Sequence, residues 1–144
     1  MTFTMLVGIA GIGKSTYAQR LFGTIVSSDA IRGELYGDES VQTNPGKVFN
    51  IMKQRTFAIL DKEGDVIYDA TNLKRKNRVL LLNELRAKYG NSLTCRVIVF
   101  PTDVNMATLQ NKTRERKVPQ EVIIKQARQL QIPTYDEGWD IIVY

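Results

Sequence analysis

Short apolar runs along the chain alternate with longer segments in which apolar residues recur at helical spacing. Runs of this kind predict strands, and the periodic segments predict helices. The expected strands are 4–9, 24–27, 65–68, 93–100 and 139–144, and the expected helices are 14–22, 29–35, 45–63, 76–89, 103–112 and 119–131. Strands separated by helices predict an α/β domain with a parallel sheet and helices on both of its faces.

The length and composition predict a single domain. The 144 residues are 43% apolar and 24% charged, and no repeat or linker divides them, so one domain is expected over 1–144. The only cysteine, Cys95, lies in a strand-like run and is expected to be a buried, inert thiol. No apolar stretch is long enough to span a bilayer and the first residues lack a secretory pattern, so we expect a cytoplasmic protein.

Charge and residue types narrow the chemistry. The formal net charge of +5 suits ligands that carry phosphate, although it does not by itself indicate nucleic-acid binding. The chain has no histidine, which excludes histidine general bases, Ser-His triads and histidine metal sites. A general base must therefore be a carboxylate, a lysine, a tyrosine or the cysteine.

The segment that follows the first expected strand carries a complete phosphate-binding motif. Residues 8–15, GIAGIGKS, match the G-x-x-x-x-G-K-[ST] pattern (Walker A) and open an expected helix. Glycines let backbone N–H groups approach phosphate oxygens, the lysine reaches the β- and γ-phosphates, and the hydroxyl of Ser15 can ligate Mg²⁺. The motif predicts binding of ATP or GTP with Mg²⁺ through Gly8, Gly11, Ile12, Gly13, Lys14, Ser15 and Thr16.

Asp29 and Arg32 follow the second expected strand at the start of a helix. The carboxyl ends of neighbouring parallel strands share one edge of a sheet, so Asp29 is expected near the phosphate-binding loop. There it can accept the proton of an attacking hydroxyl, and Arg32, one turn later, can bind an anionic acceptor. The alternative is that Asp29 only caps the helix, although Ser28 is itself a good N-cap.

Polar and basic residues follow the third expected strand. Asp69 could position Mg²⁺ or contact the acceptor, and Thr71 and Asn72 could bind phosphate or the acceptor, although turn and helix capping would also explain them. Cations at a helix start oppose the helix dipole, so the cluster at 74–78 indicates an anionic partner or, alternatively, a solvated basic face. The cations in it that we expect to hold the acceptor are Arg75 and Arg78.

A basic segment separates the last two expected helices. Small P-loop kinases carry a lid at this place in the chain, whose arginines close over the phosphates, so a lid is expected at about 110–118. Arg114 is the best candidate for stabilising the transferring charge, and Arg116 is expected to bind the nucleotide. Surface charge without a ligand is the alternative.

Together these motifs resemble the P-loop kinase family that includes the 5′-kinase domain of phage-type polynucleotide kinases. The likeness runs from the loop at 8–15 to the Pro…Glu-Gly-aromatic-Asp ending at 133–140. It implies a P-loop NTPase fold with sheet order 2-3-1-4-5, Asp29 as general base, Arg32 on the acceptor phosphate and Arg114 on the phosphates of ATP. One departure is Gln110, which occupies the place of a first lid arginine, so either Arg116 substitutes for it or the phosphates are held more weakly.

The function expected from these features is transfer of the γ-phosphoryl group of ATP to a hydroxyl, with the 5′-OH of DNA or RNA as the first choice of acceptor. A small-molecule kinase acting on a nucleoside, sugar, nucleotide-sugar or antibiotic is the main alternative, and a non-catalytic ATP-binding switch is the third. Aromatic platforms for base stacking would favour nucleic acid. Tyr36, Phe49 and Phe57 are candidates for such platforms, although we favour core packing for all three.

Overall fold

The computed structural model describes residues 1–39, 41, 44–112 and 118–144, and in them five parallel strands form one sheet in the order β2-β3-β1-β4-β5. The strands are β1 (Thr2–Val7), β2 (Thr24–Ser27), β3 (Val66–Asp69), β4 (Thr94–Val99) and β5 (Ile141–Val143). This confirms both the parallel sheet expected from the pattern and the strand order implied by the resemblance.

Six α-helices connect these strands within the described residues. They are α1 (Lys14–Ala18), α2 (Ser28–Tyr36), α3 (Pro45–Asp61), α4 (Arg75–Tyr89), α5 (Val104–Asn111) and α6 (Gln120–Gln129). Short 3₁₀ turns at Gly90–Ser92 and Tyr135–Glu137 lead into β4 and β5. Every expected helix is present, with ends that differ by a few residues.

The largest difference is at α1, which ends at Ala18 instead of at 22. The chain continues in tight turns, with the N–H of Arg20 donating to Tyr17 O and that of Leu21 to Ala18 O. Gly23, at φ +140°, then turns the chain into β2, and this leaves Phe22 91% exposed. The apolar spacing of residues 18–22 therefore overstated the helix, because a short turn into β2 follows it.

The main core lies on one face of the sheet, between its strands and α3 and α4. Alternate residues of the central strand β1, Phe3, Met5 and Val7, point into it, as strand geometry requires. Cys95 on β4 is buried in the same core, which confirms the expectation of a buried thiol. Burial raises the pKa of the Cys95 thiol to about 11, which favours the thiol over the more nucleophilic thiolate at neutral pH.

The strand register brings the site residues to one edge of the sheet. Asp69, the last residue of β3, pairs with Leu6 of β1 on one side and with Ser27 of β2 on the other. The loop after β1, the start of α2 and the end of β3 therefore meet at the carboxyl ends of the strands, where ligands bind in open α/β sheets. Across the described residues, the structure contains no helix with the length and apolar character needed to cross a membrane.

Candidate active site

The phosphate-binding loop, residues 8–13, turns between β1 and α1 on two glycines. Gly11 has φ +83° and Gly13 has φ +102°, a region of backbone space that side chains disfavour. A Cβ on Gly11 would lie 2.6 Å from the carbonyl oxygen of Ala107, so α5 packs directly against the loop. Gly13 is the N-cap of α1 and directs the following N–H groups toward the loop. This is the backbone cradle that a nucleotide phosphate requires.

Two side chains brace the loop. The Nζ of Lys14 donates to the carbonyl oxygen of Ile9 at 2.8 Å, and the lysine is largely buried at the mouth of the loop. The N–H of Ala10 donates to Oε1 of Gln126 at 2.7 Å, which ties α6 to the loop across 116 residues of sequence. No local pattern could have indicated Gln126, because its partner is so distant in the chain.

Ser15 and Asp69 form the part of the site suited to a divalent cation. The hydroxyl of Ser15 donates to Oδ2 of Asp69 at 2.8 Å, and the carboxylate is largely buried. A hydroxyl and a carboxylate are oxygen ligands of the kind that Mg²⁺ prefers when it also contacts a phosphate. The residues therefore fit Mg²⁺, and Ser15 and Asp69 would hold it, directly or through water.

The pair formed by Asp29 and Arg32 lies in the first turns of α2. Nη1 of Arg32 is 3.3 Å from Oδ1 of Asp29. The N-cap of the helix is Ser27, whose hydroxyl oxygen accepts from the N–H of Ala30 at 3.2 Å. This corrects the expectation that Ser28 is the cap, since Ser28 is the first helical residue. The capping role weighed for Asp29 belongs to Ser27, and Asp29 is one of the residues that line the cleft.

Arg32 carries a buried donor that the described residues do not satisfy. The side chain is only 10% exposed, and its Nε has no hydrogen-bond partner in the part of the chain that the structure describes. A buried donor without a partner costs about 1–3 kcal/mol, so such groups call for an explanation. Since Arg32 lines the cleft, an anion bound there would provide the missing acceptor.

All of these groups line one cleft of about 740 Å³, a volume typical of ligand sites. Lys14, Ser15, Asp29, Arg32 and Asp69 share it, so nucleotide and acceptor groups can be held together. Also lining it are Ala10, Gly11, Ile12, Gly13, Thr16, Tyr17, Arg20, Ser27, Ser28, Phe49, Ala70, Thr71, Phe100, Gln110, Val118, Pro119, Val122 and Gln126. Gly8 lies behind the loop, where its N–H donates to Thr71 O at 3.1 Å.

Comparison with known proteins agrees with this geometry. The sequence profile of the AAA domain family matches residues 3–133. The chain belongs to this family. Its fold is that of the P-loop kinases, with the sheet order that this class shares.

Solved structures with this fold include kinases of different acceptors. A chain in the structure of the Pnkp1/Rnl/Hen1 RNA repair complex is 22% identical, with a TM-score of 0.70 over 90% of this chain and 43% of that chain. A gluconokinase from Sinorhizobium meliloti 1021 is 16% identical, with a TM-score of 0.62 over 99% of this chain and 80% of that chain. A sugar kinase from Janibacter sp. HTCC2649 is 18% identical, with a TM-score of 0.68 over 98% and 84%. Family and fold support ATP-dependent phosphoryl transfer and leave the acceptor open.

Arg78 of this AAA domain is not an acceptor contact, which corrects the sequence-based expectation. Its side chain is fully buried, and Nε and Nη2 donate to the two carboxylate oxygens of Glu137, each at 2.9 Å. Its remaining donors are satisfied by backbone carbonyls of Asn72, Leu73 and Gln131. The residue therefore joins the start of α4 to the C-terminal segment, and no face is left for a ligand.

Arg75 is likewise engaged outside the cleft. Its guanidinium forms a bidentate pair with Asp136 at 3.1 Å and approaches Glu137 at 3.6 Å. Two of the cations at the start of α4, Arg75 and Arg78, therefore pair with carboxylates of this chain. A structural role replaces the expectation that Arg78 holds the acceptor, whereas Arg75, which is partly exposed in its pair with Asp136, does not line the cleft.

Asn72 is also accounted for by the fold. Its side-chain amide donates to Leu6 O at 2.7 Å and to Ala70 O at 3.2 Å, and its backbone adopts φ +51°. These bonds join the turn after β3 to the end of β1. They correspond to the structural alternative given above for Asn72, in which it stabilises a turn. Thr71, next to it, does line the cleft.

Phe49 and Gln110 are two of the cleft residues that the sequence does not assign to the site. From the sequence, Phe49 is a candidate stacking platform for which core packing is favoured, whereas it lines the cleft and is 39% exposed. Gln110 was noted only as a departure from the family pattern, and it lines the cleft beside the loop, with Oε1 at 3.6 Å from where a Cβ of Gly13 would lie. The expected lid residues Arg114 and Arg116 lie outside the described residues.

Proposed function

We propose that this AAA domain transfers the γ-phosphoryl group of ATP to the 5′-hydroxyl of a polynucleotide, DNA or RNA. The observation that carries the proposal is the Asp29–Arg32 pair in the cleft of the phosphate-binding loop, with a buried Nε on Arg32 that lacks a partner among the described residues. A polynucleotide end offers a free hydroxyl beside a phosphodiester. The carboxylate suits the hydroxyl, and the guanidinium suits the phosphate.

The proposed reaction is a single displacement at the γ-phosphorus. The 5′-hydroxyl oxygen forms a bond to that phosphorus while the bond to the β–γ bridging oxygen breaks, and ADP leaves with the electron pair. The hydroxyl proton passes to the carboxylate of Asp29. Lys14 holds the β- and γ-phosphates, and Arg32 holds the phosphate next to the attacking hydroxyl.

Charge neutralisation completes the site. Mg²⁺, held by Ser15 and Asp69, would supply positive charge to the phosphate oxygens as negative charge shifts onto them. For the lid arginines, we propose that Arg114 contacts the transferring phosphoryl group and that Arg116 contacts the nucleotide. Backbone N–H groups of residues 11–16 would cradle the β-phosphate.

The likeness to a chain of an RNA repair complex supports a polynucleotide acceptor. The placement of Arg75 and Arg78 also bears on the choice. Both are paired to carboxylates of this chain and neither lines the cleft, so we expect Arg32 to hold the phosphate of the acceptor. A small anionic acceptor, such as a nucleotide or a sugar acid, would satisfy Arg32 equally well and is the second candidate.

The test of the proposed mechanism is the Asp29→Asn variant, which keeps the shape of the side chain and removes its basicity. We expect kcat for transfer to a 5′-OH oligonucleotide to fall by about 10²–10⁴-fold, the usual contribution of a general base. ATP affinity, measured by calorimetry, should stay near that of the wild type, since Asp29 acts on the acceptor.

The matched control is Glu84→Gln, which makes the same chemical change in a carboxylate that pairs with Lys53 across α3 and α4, away from the cleft. Its kcat should equal that of the wild type. An unchanged kcat in the Asp29→Asn variant would remove the general-base role, and a parallel loss of ATP binding would show that Asp29 acts on the nucleotide instead.

A further inference from the structure

Phe49 is an exposed aromatic ring that the core does not need. The buried positions of α3 recur every four residues, at Val48, Met52, Thr56 and Leu60. Phe49 lies one residue beyond the first of these, about 100° around the helix. Its side chain is 39% exposed and lines the cleft that contains Asp29 and Arg32. Exposure of a phenyl ring inside a ligand cleft, next to polar groups, points to a binding role.

The two other aromatic candidates from the sequence are explained by packing. Tyr36 and Phe57 pack against the main core, and Phe57 also contacts the ring of Tyr89 at 6.2 Å between centroids. Among these three rings, Phe49 is the one that lines the cleft. Core packing therefore accounts for Tyr36 and Phe57 but not for Phe49.

Phe49 and the acceptor-binding pair are held by helices that are tied together. Glu34 of α2 and Arg55 of α3 form an ion pair at 2.6 Å, and the two helices pack against each other. Asp29 and Arg32 belong to the first of these helices and Phe49 to the second. A ligand whose hydroxyl meets Asp29 and whose anion meets Arg32 therefore shares its cleft with the Phe49 ring.

We propose that Phe49 is the stacking platform for the base of the terminal nucleotide of the acceptor. This inference rests on the proposed function and adds to it a requirement that the acceptor carry a flat aromatic base. Stacking on a phenyl ring accepts every base, because each base has a π-face, so the platform would give affinity without sequence preference. A sugar acid could satisfy Arg32 but would gain nothing from Phe49.

The test compares two oligonucleotides that differ only in the first residue, one with a normal 5′ nucleoside and one with an abasic 5′ residue that keeps the hydroxyl and the phosphodiester. Phe49→Ala should raise KM for the first by about 5- to 150-fold, the range that corresponds to loss of one base–aromatic stack. Wild type and variant should have the same KM for the abasic acceptor. Phe49→Trp should keep the lower KM for the normal acceptor than for the abasic one, because tryptophan can also stack on a base. Phe49→Leu should keep little of this difference.

The control is Phe22→Ala, which removes an exposed phenyl ring outside the cleft and should leave both KM values unchanged. A binding measurement without turnover uses 2-aminopurine as the first base, whose fluorescence should be quenched by the wild type and not by Phe49→Ala. If Phe49→Ala changes KM equally for both acceptors, or for neither, Phe49 is not a stacking platform for the base. If the wild type phosphorylates neither oligonucleotide, the proposed function fails, and this is visible before any variant is made.

Discussion

At the scale of single residues, the phosphate-binding loop depends on conformations that only some residues can adopt. Gly11 and Gly13 both have positive φ, and the space beside Gly11 is filled by the carbonyl oxygen of Ala107. The positive φ angles are a local requirement of the backbone, which is why the motif is readable from the sequence, whereas the contact with Ala107 depends on the fold.

Gly11→Ala should destabilise the protein by about 1–3 kcal/mol, because it combines positive φ with a Cβ that would lie 2.6 Å from a carbonyl oxygen. It should also weaken ATP binding by distorting the loop. Gly46→Ala is the matched control, since that glycine lies in the first turn of α3 with nothing within 4 Å of the added Cβ. It should be neutral or stabilising by up to about 1 kcal/mol. Urea unfolding measures the stability of the two variants, and calorimetry measures their ATP affinity. An ATP affinity of Gly11→Ala equal to that of the wild type would show that the loop does not depend on Gly11.

Single charged residues were harder to place than the glycines. Asp29 and Arg32 could be predicted together because they are one helical turn apart and follow a strand that ends at the site. Arg75 and Arg78 look similar in the sequence, but their partners Asp136 and Glu137 come about sixty residues later, and local patterns carry no information on that pairing. Phe49 shows the same limit, since its exposure depends on the rotation of α3 against the core.

At the scale of elements, the segment that leads into β5 fastens α4 to the sheet. Glu137 accepts from Arg78 and from Nε1 of Trp139, and all three side chains are buried. Asp140 pairs with Arg86 and accepts from the N–H of Cys95 at 2.8 Å, which joins the segment to β4. The Glu-Gly-Trp-Asp ending, which resembles that of the polynucleotide kinase family, therefore stabilises the packing of α4 and β4 against this segment.

Glu137→Gln should cost about 3–5 kcal/mol at pH 7, because it leaves a buried guanidinium without its counter-charge. Burial raises the pKa of Glu137, but hydrogen bonds from Arg78 and Trp139 outweigh it and lower the pKa overall. Because the pKa is lower in the folded protein, this stabilisation is complete above the pKa of Glu137 in the unfolded chain, about 4.3. It is lost as the pH falls through the pKa of Glu137 in the folded protein. The difference in unfolding free energy between wild type and variant should therefore shrink below about pH 4.

Urea unfolding at neutral pH and at about pH 3.5 measures that difference. Asp136→Asn is the control, because its carboxylate is mostly exposed and its pair with Arg75 should be worth no more than about 1 kcal/mol. A cost for Glu137→Gln that is the same at both pH values would show that the loss comes from shape and not from charge.

At the scale of the whole molecule, alternation of strands and helices predicts the α/β class, because each periodicity reflects burial against a sheet. It does not predict which strands are neighbours, and the order 2-3-1-4-5 came from the resemblance. That order matters for the site, since it sets Ser27 and Leu6 on either side of Asp69. The acceptor is decided by the whole cleft, to which α2, α3, α6 and the phosphate-binding loop all contribute.

We propose above that this AAA domain phosphorylates polynucleotide 5′ ends, and one measurement tests that proposal directly. The measurement is transfer of labelled γ-phosphate from ATP, with Mg²⁺, to four acceptors in parallel: a 5′-OH DNA, a 5′-OH RNA, a free nucleoside and gluconate. We predict label on the 5′ end of an oligonucleotide, with a higher kcat/KM than for the nucleoside or gluconate. If the protein binds ATP but labels only a small molecule, or none of the four acceptors, the proposal is contradicted.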